Sequence, residues 1–145
     1  MPPNTTYSVW GGQLHSPVKQ FFTSSAFAVI GASNNRQKFG NKVLRCYLQN
    51  NKTVYPVNPG EKTVEGLPCI AEIADLPPSV NSISIITPPH ITEKIVAQAI
   101  KKGIQNIWMQ PGAESDTAIN NCLENKINVI AHGPCILVEL GFTDH

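Results

Sequence analysis

Five short apolar bursts, rich in β-branched residues, punctuate the chain at 27–31 (FAVIG), 53–57 (TVYPV), 82–87 (SISIIT), 106–110 (NIWMQ) and 128–132 (NVIAH). Runs of this length and composition predict buried strands, centred on Val29, Val54, Ile85, Ile107 and Val129. Between them the period changes to that of a helix. Val43, Leu44, Tyr47 and Leu48 share one helical face after Gly40; Ile91, Ile95, Val96, Ala99 and Ile100 share another after Pro88-Pro89. A third face, Ala118, Ile119, Cys122 and Leu123, follows the acidic turn Glu114-Ser115-Asp116, which suits a helix N-terminus. Strand and helix alternating in this way predict an α/β fold: a doubly wound parallel sheet with helices on both faces.

The remaining segments refine this outline. Ser16-Pro17 offers an N-cap and a first-turn proline ahead of VKQFF, predicting a short helix. Residues 59–78 are too short and broken for a full crossover helix, but TVEGLP suits a brief edge strand and AEIADL a helical turn. Residues 1–15 read as a polar tail in which Trp10 is the one large apolar group to pack, leaving 16–145 as a single domain.

Composition narrows the function. Eleven basic and ten acidic residues give a net charge of +1, so no global field gathers nucleic acid or an anionic membrane. No apolar run reaches the roughly 18 residues of a membrane span, and the N-terminus lacks a secretory apolar core, so a cytoplasmic protein is expected. The four cysteines are scattered without a Cys-x-x-Cys pair and the histidines lack metal spacing, so neither a disulfide framework nor a metal site is expected.

In a doubly wound sheet the ligand lies beyond the carboxyl ends of the strands, which draws attention to the first strand-to-helix loop. There Gly31 follows the strand directly and its missing Cβ would let an anionic group approach the backbone, Ser33 adds a hydroxyl, and the helix starting near Gly40 aims free N–H groups at the same spot, the outline of a phosphate site. A tight turn followed by a helix start explains the same glycines. The loop GASNNRQKFG lacks the G-x-G-x-x-G spacing of a dinucleotide fingerprint, and Gly40 is not followed by the Lys-Ser/Thr of a triphosphate loop. The second strand ends Val57-Asn58-Pro59, without the acid that grips an NAD ribose. Arg36, Lys38, Lys42 and Lys62 lie in or beside these two loops and suit either a ligand with several phosphates or merely solvated surface positions. Thr87-Pro88-Pro89 presents either flat apolar surface for a ligand or a rigid helix start. Gln110 can hydrogen-bond a ligand, Gly112 turns the chain, and Trp108 belongs in the core.

From about Phe27 to Phe142 the chain resembles the small stand-alone CoA-binding domain proteins, which are similar to the N-terminal domain of the succinyl-CoA synthetase α subunit. The matching motifs are AVIGAS (28–33), Lys38-Phe39-Gly40-Asn41-Lys42-Val43, YPVNP (55–59), EGLPC (65–69), IITPP (85–89) and WMQPG (108–112). The resemblance implies a Rossmann-like fold with coenzyme A, or an acyl-CoA, across the strand tips. It places the phosphates near Gly31, Ala32, Ser33 and Lys38, the adenine end near Val57, Asn58 and Pro59, and the rest of the ligand near Thr87, Pro88 and Pro89. One departure is visible: many relatives carry an Asp-Arg-Cys type segment after the last strand, where this chain has His132-Gly133-Pro134-Cys135. The synthetase's phosphorylated histidine lies in a part with no counterpart here, so a binding or regulatory protein without a reaction of its own is expected. The rivals are an NAD(P)-dependent oxidoreductase or sensor, a thiol protein acting through Cys135, and a scaffold for a protein partner.

Overall fold

The computed structural model describes residues 16–144 in full and, for the backbone alone, the antiparallel pair β1 (Ser8–Trp10) and β2 (Gln13–His15). The expected packing of the Trp10 side chain lies outside the described residues. Helix α1 (Pro17–Phe21) starts as the sequence predicts: the Ser16 hydroxyl accepts from the Val18 and Lys19 amides, and Pro17 takes the first helical position. Its last residue, Phe21, is fully buried against Phe27 and Trp108.

The main sheet is wholly parallel and is built from β3 (Ala26–Ile30), β4 (Val54–Val57), β7 (Val80–Ile85), β8 (Asn106–Met109) and β9 (Asn128–Ile130), in the order β4-β3-β7-β8-β9. All five predicted strand positions fall inside these strands. Helices α2 (Phe39–Gln49), α3 (Pro89–Lys102) and α4 (Asp116–Glu124) are the crossovers. Between β4 and β7 the chain makes the small hairpin β5 (Thr63–Val64) and β6 (Leu67–Pro68), turned at Glu65-Gly66 with both residues at positive φ, and a 3₁₀ turn at Ile73–Asp75.

Alternation along β3 sorts the two cores. Phe27 and Val29 face Val43, Leu44 and Tyr47 of α2, whereas Ala28 and Ile30 face the side of Val96 and Ala99 of α3 and Ala118 and Cys122 of α4. Because both faces are covered, β3 is buried at every residue, which is why these strands read as unbroken apolar bursts. From β3 the chain first winds to β4 on one side and then crosses to β7 on the other. The winding reverses there, so the carboxyl ends of β3 and β7 open a crevice between them.

Candidate functional site

Two glycines shape the crevice. Gly31 has φ +95, and a Cβ there would sit 2.7 Å from the Ile86 carbonyl oxygen; a Cβ on Gly40 would overlap the Gly31 carbonyl. The missing side chains let three backbones meet, the end of β3, the end of β7 and the start of α2. This differs from the expectation that Gly31 leaves room for an approaching anion. The Val57 carbonyl accepts from the amides of Gly31 (3.1 Å) and Ala32 (3.3 Å), binding the first loop to the end of β4. Asn58 strengthens the same junction: its side-chain amide donates to the Ala32 carbonyl at 2.8 Å and its oxygen accepts from the Gly60 amide at 2.8 Å.

Loop 31–40 is held from outside by a polar network that sequence reasoning missed. Asn34 donates to the Glu61 carboxylate (2.7 Å) and the Thr63 carbonyl (2.9 Å), while Arg36 pairs with Glu65 at 2.7 Å. Asn41, fully buried, donates to the Ser33 carbonyl and to Glu65. Beneath it Arg45 gives its Nε to Asn41 Oδ1 (2.6 Å), one terminal nitrogen to the Arg36 carbonyl (2.9 Å) and the other to Asp144 (3.0 Å). Arg45 is only 5% exposed, so each of these charge-assisted bonds replaces water it has lost. In the sequence Asn41 and Arg45 stand one turn apart but among Lys42 and Gln49 on the polar side of α2, so nothing marked them as buried.

Two clefts meet here. The first, about 390 Å³, is lined by Ala32, Ser33, Lys38, Phe39, Gly40 and Ile86. It adjoins the N-terminus of α2, where no side chain caps the helix. Phe39 is 55% exposed, and the Lys42 ammonium stands 5.6 Å from its ring centre. The second, about 360 Å³, has apolar walls from Ile30, Val57, Ile73, Ile91 and Ile95, with Pro59 and Thr87 toward the sheet. Gly31 and Asn58 border both.

The structure thus gathers Gly31, Ala32, Ser33, Lys38, Phe39, Gly40, Val57, Asn58, Pro59 and Thr87 at one edge of the sheet. Four expected residues stand elsewhere. Pro88 and Pro89 begin α3, the Pro88 carbonyl accepting from the Ile91 and Thr92 amides, and line neither cleft. Gln110 is 2% exposed; its oxygen accepts from the Ile136 amide and its nitrogen donates to Cys135 Sγ, so it anchors the segment after β9 instead of facing a ligand. Gly112 turns the chain at φ +96, away from both clefts. Arg36 borders the site, but its guanidinium is spent on Glu65.

Trp108 is core, as expected, with its indole N–H on the Pro134 carbonyl. Two of the four thiols, Cys46 and Cys122, are fully buried. Burial pushes Cys46 up to about 11, with Cys135 nearby adding to the effect, and pushes Cys122 to about 12; a thiol is nucleophilic only as the thiolate. Among the described residues no helix is long and apolar enough to cross a membrane.

A wholly parallel, doubly wound sheet with a glycine loop and a helix N-terminus at its reversal point defines a Rossmann-like ligand-binding domain. Residues 25–141 match the CoA binding domain family, and the chain belongs to that family. It is similar to the ADP-forming acetate–CoA ligase of Methanocaldococcus jannaschii, 27% identical over 123 residues that take in 85% of this chain and 17% of the ligase. It is also similar to the alpha subunit of ADP-forming acetate–CoA ligase II of Pyrococcus furiosus, 29% identical over 114 residues, 77% of this chain and 25% of that subunit. The chain therefore spans about a sixth to a quarter of these relatives. Among solved structures, a conserved hypothetical protein from Pyrococcus furiosus superposes with a TM-score of 0.75 at 34% identity, covering 79% of this chain and 97% of that one. A hypothetical protein from Pyrococcus horikoshii OT3 gives 0.79 at 28% identity, covering 85% and 86%.

Proposed function

We propose that the protein binds coenzyme A or an acyl-CoA across the ends of β3, β4 and β7, as a binding or regulatory domain with no reaction of its own. The observation that carries this is the pair of clefts joined at Gly31 and Asn58: one polar, beside an uncapped helix start and Lys38, the other apolar. The pyrophosphate fits the first, against the α2 N-terminus, and the adenosine fits the second. The acyl end projects away from both. Its identity has no reader among the site residues, so free CoA and short acyl-CoAs should bind alike. The binding unit is the chain from Ser16 onward, with 1–15 as a tail outside it.

Family membership supports the ligand class, and the end of β4 favours CoA over NAD. Asn58 stands where an NAD domain places its ribose-binding acid, and the next acid, Glu61, is engaged by Asn34. Titration calorimetry of the full chain with CoA, acetyl-CoA, NAD and NADP tests the reading. CoA and acetyl-CoA should bind with similar affinity and at least about tenfold more tightly than either dinucleotide. Preference for NAD or NADP would overturn it.

A further inference from the structure

We propose that Glu72 and Gln98 read the outer edge of the adenine ring and make this domain selective for a 6-aminopurine; the inference rests on the CoA reading above. Beyond the apolar cleft lies a second cavity of about 330 Å³, lined by Ala74, Lys101 and Lys102. Glu72 and Gln98 line both and form the lip between them. Glu72 precedes the 3₁₀ turn and Gln98 lies on α3, so the lip is contributed from two sides of the cleft. Both side chains are exposed, and neither has a hydrogen-bond partner among the described residues. The nearby Lys102 ammonium is turned to the Ala74 carbonyl at 3.0 Å and forms no ion pair with Glu72.

The direction of the ring follows from its chemistry. A purine joins its sugar at N9, on the side opposite the N1 and N6 edge. With the phosphates at the Gly31 loop, the sugar must enter from that end, between Asn58 and Thr87, and the N1 and N6 edge then points to the lip. The aliphatic walls take the ring faces without choosing among purines. The choice is made at the lip, where a carboxylate only accepts hydrogen bonds and an amide does either. Adenine offers an N6 amino donor to Glu72 and an N1 acceptor to the amide N–H of Gln98. A 6-oxopurine turns its O6 acceptor toward the Glu72 carboxylate, leaving two acceptors face to face. Exposure to water moderates the penalty without changing its sign.

Calorimetry on the full chain with CoA and with its 6-oxo analogue, in which hypoxanthine replaces adenine, tests this. Wild type should prefer CoA by about tenfold. Glu72→Gln supplies an amide that can donate to O6, so the preference should fall to within about twofold. Gln98→Ala should weaken both ligands by a similar factor, because an amide can turn over to suit either edge. Equal binding of both ligands by wild type, or an undiminished preference in Glu72→Gln, would overturn the inference while leaving CoA binding intact. Failure of wild type to bind either ligand would instead remove the function on which it rests.

Discussion

The two clefts are a few residues apart and are built on opposite principles. The polar cleft borders a loop fixed by directed polar bonds, from Asn34 to Glu61, Arg36 to Glu65 and Arg45 to Asn41, Arg36 and Asp144. The apolar cleft is a gap between aliphatic side chains of β3, β4 and α3, with polar groups only at its ends. A phosphate requires donors held in place before it arrives, whereas an apolar ring requires only surface from which water is easily removed. The first cleft should therefore respond sharply to geometry and salt, and the second gradually to area.

The largest effect is expected at Gly40. Gly40→Ala places a methyl on the Gly31 carbonyl, forcing α2 away from the strand end, and should lower stability by about 2–4 kcal/mol as well as CoA affinity. Urea unfolding monitored by circular dichroism would show the shift in midpoint; an unchanged midpoint would mean that the three backbones do not need their close contact. Next comes charge. Lys38→Glu should weaken CoA by on the order of 1–3 kcal/mol and flatten its dependence on ionic strength, whereas Lys126→Glu, outside both clefts, should do neither. Equal affinities for the two variants in calorimetry would remove Lys38 from the site.

A smaller loss tests the apolar side. Ile95→Ala should cost about 1 kcal/mol of CoA affinity with the salt dependence unchanged, since only contact area is removed. A change in salt slope would show that the clefts are not separable in this way. The weakest effect concerns the outer end of the brace. The Asp144 carboxyl is held below its usual value of 3.8, chiefly by the hydrogen bond from Arg45. A carboxyl with a depressed folded pKa contributes stability that is fully present above the unfolded pKa and lost as pH falls through the folded one. The attachment of residues 143 and 144 to α2 should therefore loosen in acid, below about pH 4, and Asp144→Asn should lack that step. Amide exchange at Thr143, which pairs with Gln49, would report it.

The strands were readable because a parallel sheet buried on both faces leaves an unmistakable apolar trace, and the α1 start because Ser16-Pro17 is a local device. The loop after β3 was readable as a glycine turn ahead of a helix but not in its construction. Asn58 illustrates the gap: its type showed only that the acid of an NAD site is missing, whereas its side-chain amide is used on Ala32 and Gly60, contacts that depend on how two distant loops meet. Gln110 is the converse case, a polar residue at a strand end that the fold turns inward to Ile136. The segment after β9 gave no periodic signal at all, since its turn at Leu137–Gly141 is a single π turn held at the Gly141 carbonyl by Asn50, at the end of α2, with Thr143 and Asp144 beyond it held by Gln49 and Arg45. Ile91 and Ile95 belong to the apolar helical face that the spacing predicts, yet they are only half-buried and line the apolar cleft.

That last discrepancy has a consequence for how such a domain can change over time. Helix α3 carries two parallel stripes, Thr92, Val96 and Ala99 facing the sheet and Ile91, Ile95 and Gln98 facing the cleft, each residue of one preceding its counterpart by a single position. The first stripe carries the fully buried contacts, while of the second Ile95 alone also packs against the core, so the second can drift at lower cost. A lineage could exchange large for small, or apolar for polar, along 91, 95 and 98 and arrive at a different preferred ring with the scaffold undisturbed. Directed evolution limited to those three codons would explore recognition without first having to survive misfolding.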